Sequence, residues 1–136
     1  MVYVLGDAML GDNTYGRKCI SRLKGNIYLV RGNHDTDARW NEIYPTIHNV
    51  TQLGCAEMLK YRKLNFYLSH FPTETTNYDD DKKFWQRIIN LCGHTHSKEK
   101  FHKGNIFQYN VALDAHNNTP VLLDDIIQDI KDNYPM

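Results

Sequence analysis

The stretch Leu29-Val30-Arg31-Gly32-Asn33-His34-Asp35 decides how this chain is read. The apolar run Ile27 to Val30 has the make-up of a short buried strand, and it leads straight into a turn bearing an amide, an imidazole and a carboxylate. Gly32 lets the backbone turn sharply. Asn33, His34 and Asp35 are thereby presented at the strand's C-terminal end, where open α/β sheets bind their ligands. Alone, a Gly-Asn pair is also ordinary turn chemistry, so the weight falls on what accompanies it.

Three further units repeat the pattern. Val2-Tyr3-Val4-Leu5 precedes Gly6-Asp7, Phe66-Tyr67-Leu68 precedes Ser69-His70, and Ile88 to Cys92 precedes Gly93-His94-Thr95-His96. Each apolar run ends on a side chain competent to bind metal. Asp7, Asn33, His70, His94 and His96 together make a borderline N/O donor set, of the kind that suits divalent Mn, Fe, Co, Ni or Zn better than Ca or Mg.

In wording and order these motifs resemble the calcineurin-like metallophosphoesterase family. Gly6-Asp7, Gly32 to Asp35, His70 and Gly93 to His96 stand in the family's order, and Tyr109-Asn110-Val111 through Asp114 to Pro120 is similar to the tail of its small bacterial and phage-type members. The N-terminal Asp-x-His motif is lacking; its strand would lie before Met1. The resemblance implies an α/β/β/α sandwich with two mixed sheets, N-terminally truncated, spanning residues 1–136 as one domain. It also implies a hydrolase that attacks a phosphomono- or phosphodiester with a metal-activated water. Carried over by motif, Asp7 bridges two metals, Asn33, His70 and His94 complete one site, and His96 belongs to the other. Four ligands against two make the first site well formed and the second doubtful, since catalytic zinc sites commonly have three protein ligands. Catalysis is assigned to His34, as a proton donor or phosphate binder at the leaving-group oxygen, and to Asp35, which fixes its tautomer. The alternative is a catalytically weak metal- or phosphate-binding remnant with one intact site. A missing strand beside Val2 to Leu5 leaves an uncovered edge, so a homo-oligomer is expected.

Composition is consistent with a globular enzyme and excludes other classes. With 16 basic and 16 acidic residues in 136, no global field draws the chain to a polyanion or a membrane. Nucleic acid enters only as a candidate substrate, for there is no basic stripe. No signal peptide or bilayer-length apolar run is legible, and Cys19, Cys55 and Cys92 read as buried, reduced thiols of a cytoplasmic protein.

Along the chain, Val2 to Leu5 reads as a fully buried strand, Ala8 to Tyr15 as a loop and Gly16 to Leu23 as a helix. Thr36 or Asp37 caps a short helix ended by Pro45. Ala56 to Tyr61 and Leu64 to Leu68 make a hairpin around Arg62-Lys63. Asp79-Asp80-Asp81 reads as a solvated stretch or helix start and Lys82 to Arg87 as a short helix. Ile106 to Leu113 alternates as a strand, and Leu122, Leu123, Ile126, Ile127 and Ile130 mark a terminal helix. His48 and His102 read as polar turn residues. His116, in the Asn-rich loop, is either a turn residue or one that approaches the site mouth. Arg31 either snorkels from the strand end or reaches phosphate. Tyr3, Tyr15, Trp40, Phe71, Trp85 and Phe101 are core or base-stacking aromatics.

Overall fold

The computed structural model describes residues 1–75, 83 and 86–134. The Asp79-Asp80-Asp81 run, Trp85 and most of the helix expected over Lys82 to Arg87 lie outside them. The described chain is mixed α/β, with two sheets and a few helices. The first sheet is parallel, in the order β1 (Val2–Leu5), β2 (Ile27–Val30), β3 (Val50–Gly54). The second is mixed: β4 (Ala56–Tyr61) and β5 (Leu64–Ser69) are antiparallel, and β6 (Ile88–Cys92) and β7 (Gln108–Asn110) continue parallel to β5.

The two sheets share a core. Val30 from the first packs in one apolar cluster with Phe66, Leu68 and Leu91 from the second, and Tyr3 and Leu5 lean on it. α2 (Leu123–Asn133) adds Ile126, Ile127 and Ile130 to that cluster, as its helical spacing foretells. A second cluster, including Met9, Ile20, Ile27, Leu29 and Tyr44, covers the rest of the first sheet. β2 contributes to both clusters, which accounts for its apolar run.

Local chemistry explains where the elements start and stop. α1 (Asn13–Ser21) begins earlier than its apolar spacing suggests, because Asp12 caps it by accepting from the Tyr15 amide at 3.1 Å. Past Ala38, one π-helical turn (Arg39–Ile43) and one 3-10 turn (Tyr44–Thr46) replace a regular helix; Pro45 starts the second turn instead of ending the first. The β4–β5 turn places both Arg62 (φ 49°) and Lys63 (φ 64°) in the left-handed region, the geometry that matches strand twist in a two-residue hairpin.

Four expectations need correction. β1 is an end strand rather than a fully buried one, and Val2 is 43% exposed. β3 is a strand the apolar pattern did not indicate, because Thr51 and Gln52 break its run. The strand expected over Ile106 to Leu113 shrinks to Gln108–Asn110, and Leu113 opens a 3-10 turn instead. Among the cysteines only Cys92 is buried; Cys19 and Cys55 are exposed, and all three are free. No helix of the described residues is long and apolar enough to cross a membrane.

Candidate metal centre

The ends of β1 and β2 meet closely enough to require glycine. A Cβ on Gly6 would lie 2.5 Å from His70 Nδ1 and 2.7 Å from Gly32 Cα, and one on Gly32 would lie 2.5 Å from Asp7 Oδ1. Gly6 (φ 91°) and Asp7 (φ 55°) both sit in the left-handed region. This turns Asp7 out of the strand toward the Gly32 to Asp35 turn, where its Oδ1 accepts the His34 amide at 2.7 Å.

Asp35 organises that turn. Although only 1% exposed, its carboxylate accepts from the amides of Gly32 (2.7 Å), Asp7 (2.8 Å) and Ala8 (3.3 Å) and from the Tyr44 hydroxyl (2.6 Å). Those four donors fill the lone-pair directions of a carboxylate. Burial, reinforced by the bond to Asp35, pushes the Tyr44 hydroxyl well above the ordinary tyrosine range and keeps it a donor. Asp35 therefore does not orient the imidazole of His34, as expected for a catalytic pair; it is a positioning residue that fixes Asp7 against Gly32. His34 itself is exposed.

Arg39 and Arg31 tie the turn from outside. The Arg39 guanidinium donates to the carbonyls of Met9, Gly11 and His34 and to Asn13 Oδ1, at 2.7–3.0 Å. Arg31 donates to the Asp35 carbonyl and to Asp37, and lies over the Trp40 ring, so it supports the turn instead of extending toward a phosphate. Neither the Arg39 clamp nor the Tyr44 bond has a signature in the sequence.

His70 is the centre of the cluster and is 3% exposed. Its Nδ1 donates to the Leu5 carbonyl at 2.7 Å, which turns Nε2 toward the cluster. Nε2 lies 2.7 Å from Asn33 Oδ1, 3.1 Å from His94 Nδ1 and 3.2 Å from Asp7 Oδ2. His94 Nδ1 is also 3.1 Å from Asn33 Oδ1. A carboxylate, an amide oxygen and two imidazole nitrogens thus converge on one point. Such a set is stabilised by a cation. Within it the ligand atoms of Asp7, His70 and His94 all lie within 4.8 Å of one another, and the donors fit a borderline divalent ion.

The flanks are supported by buried amides. Asn90, fully buried on β6, donates to Tyr67 O and Ser69 Oγ and accepts the Thr73 amide, which holds the chain on either side of His70. Phe71 packs its ring against both imidazoles, 5.0 Å from His70 and 4.6 Å from His94 between centroids. Of the other aromatics singled out, Tyr3 stacks on Tyr28, Trp40 packs on the second core cluster and Phe101 meets Tyr109 edge-on; Tyr15 is exposed.

Four of the five metal-competent residues therefore come together: Asp7, Asn33, His70 and His94. His96 does not join them; its Nδ1 faces Asp114 Oδ1 at 3.7 Å. His116 bonds through Nε2 to the Asn110 carbonyl and stacks on Tyr109, which answers the choice left open for it in favour of a structural loop residue. Comparison with models of protein families, with curated proteins and with solved structures finds no match. The chemistry of the site thus rests on its own geometry.

Proposed function

We propose that the chain is a metal-dependent phosphoesterase, built on the α/β/β/α sandwich of the calcineurin-like metallophosphoesterases that its motifs resemble. The observation that carries this reading is the convergence of Asp7 Oδ2, Asn33 Oδ1 and His94 Nδ1 on His70 Nε2, with the backbone of the exposed His34 bonded to Asp7. Asp7, Asn33, His70 and His94 would hold a divalent Mn, Fe, Ni or Zn ion. When bound, such an ion supplies a water of lowered pKa and a clamp on phosphoryl oxygens. The chain's own contribution is positional. Asp35 and Arg39 fix the turn that carries Asn33 and His34; the Leu5 carbonyl orders the His70 tautomer, as outer partners of metal-binding histidines do; and His34, exposed and free of a competing hydrogen bond among the described residues, would give a proton to a leaving alkoxide.

The remnant reading is favoured by one observation, that among the described residues a group of three or more candidate ligands forms only at Asp7, His70 and His94. Metal-free protein reloaded with Mn²⁺ or Zn²⁺ and offered p-nitrophenyl phosphate and bis(p-nitrophenyl) phosphate decides between the two. Metal-dependent hydrolysis of either ester, abolished by EDTA, supports the enzyme. Tight metal binding without hydrolysis leaves the remnant.

A further inference from the structure

We infer that His96 and Asp114 form a second divalent-cation site in addition to the first, in which Asp114 is a ligand that the motif pattern did not assign. The two residues lie on loops that follow β6 and β7, adjacent parallel strands whose ends open on the same side. Their facing atoms, His96 Nδ1 and Asp114 Oδ1, are 3.7 Å apart. That is beyond hydrogen-bond range, yet it suits two ligands of one ion: with metal–ligand distances of about 2.1 Å the angle at the metal would be about 120°. Imidazole with carboxylate selects Zn, Mn, Fe, Co or Ni over Ca and Mg. Two protein ligands leave further positions open to water or a phosphoryl oxygen, so this ion is held more weakly than the first.

The backbones that carry the two side chains are held by one buried residue. Asn110, 1% exposed, fixes both loops at once. Its Nδ2 donates to the carbonyls of Ser97 and Glu99 on the His96 side, each at 3.0 Å. Its Oδ1 accepts the Ala112 amide at 3.0 Å and its carbonyl binds His116 Nε2 at 2.8 Å, on the Asp114 side. The 3-10 turn Leu113–Ala115 then holds the Asp114 backbone through the Ala115 and Asn118 amides. His96 adopts φ 53°, a left-handed conformation that an exposed ion pair alone would hardly maintain. Asp114-Ala115-His116 also has an Asp-x-His spacing, but its histidine is bonded to Asn110 and only the carboxylate reaches His96.

Calorimetric titration of the metal-free full chain with Zn²⁺ alone tests this, followed in parallel by the imidazole Cε1–Hε1 resonances. The expected result is a tight first equivalent and a weaker second one that moves the His96 signal. His96→Ala and Asp114→Asn should each weaken the second step at least tenfold and leave the first unchanged; both side chains are exposed, so the variants keep their fold. A second step unaltered in Asp114→Asn, or saturation at one equivalent with the His96 signal unmoved, overturns the proposal. Loss of the first step alone in wild type would count against the phosphoesterase reading and not against this one.

Discussion

The turns Gly32 to Asp35 and Gly93 to His96 both carry ligand candidates off the end of a parallel strand, yet they are held in opposite ways. The first is fixed from within the protein: Asp35 accepts four donors and Arg39 donates to the His34 carbonyl. The second has fewer ties within the turn itself, although Asn110 holds the chain just beyond it at Ser97 and Glu99. Gly93 N donates to the His70 carbonyl and Thr95 N to the Gly93 carbonyl, while His94 and His96 sit at φ 67° and 53°, each a conformation that costs about 1–2 kcal/mol outside glycine. The His94 imidazole reaches the cluster by facing Asn33 and His70, groups that are themselves ligand candidates. One half of the candidate centre is thus fixed by buried partners, and the other rests on fewer hydrogen bonds.

The largest effect expected from this difference is on stability. Asp35→Ala leaves three amides and the Tyr44 hydroxyl without their acceptor in a buried place, and should cost about 3–5 kcal/mol. His94→Ala, in the turn with fewer ties, should leave the metal-free protein within about 1 kcal/mol of wild type. Urea denaturation of the two variants measures both. Equal losses would mean that the two turns are held alike.

Metal affinity should divide the residues differently. His70→Ala removes the central donor and should lower divalent-metal affinity by roughly 10²-fold or more, in line with the loss of a direct ligand. His96→Ala should leave the first equivalent in place. Titration calorimetry in EDTA-stripped buffer gives the answer, and similar losses in both variants would put His96 in the first centre. Of comparable size but in a different observable is His34→Ala: the variant should keep its metal and lose roughly 10²-fold in phosphoesterase kcat if the imidazole acts as general acid. A variant that instead loses metal, with unchanged activity per bound ion, would make His34 a ligand.

The contrast between the turns also explains what could be read from residues alone. Apolar runs ending in polar turns located β1, β2, β5 and β6, and hence the four residues that converge, because a strand end presents whatever follows it. The hairpin and α2 were equally legible, from a two-residue turn between apolar runs and from helical spacing. What escaped depends on long-range partners. Asp35 looked like a catalytic neighbour of His34 because the donors that engage it, Asp7, Ala8 and Tyr44, are brought in by other elements. The Arg39 clamp was invisible for the same reason, since an arginine holding four acceptors has no local signature, and Asn110, though part of the tail pattern, gave no sign of the two loops it ties. β3 was missed through its polar Thr51 and Gln52, and the exposure of Cys19 and Cys55 because residue type alone says little about which side of an element a thiol occupies.

The smallest expected effect is the most direct probe of the second turn. Cys92 lies at the end of β6, immediately before Gly93, with 1% exposure, and burial pushes its thiol up to about 12. The thiolate is the reactive form, so at pH 8 Cys92 should react with a disulfide reagent far more slowly than the exposed Cys19 and Cys55, and only when the end of β6 opens. The same shift gives a sign for stability. A group whose folded pKa is raised contributes stability that is full below its unfolded value, near 9.0, and lost as pH climbs toward about 12, so Cys92→Ala should blunt the alkaline fall in stability. If the Gly93 to His96 turn is drawn to the centre by a bound ion, Zn²⁺ or Mn²⁺ should slow Cys92 labelling a further few-fold in wild type. In His94→Ala the protection should vanish while the first turn stays ordered. Labelling at Cys92 that ignores metal in both proteins would show the second turn to be as preorganised as the first, and the asymmetry between them would have to be abandoned.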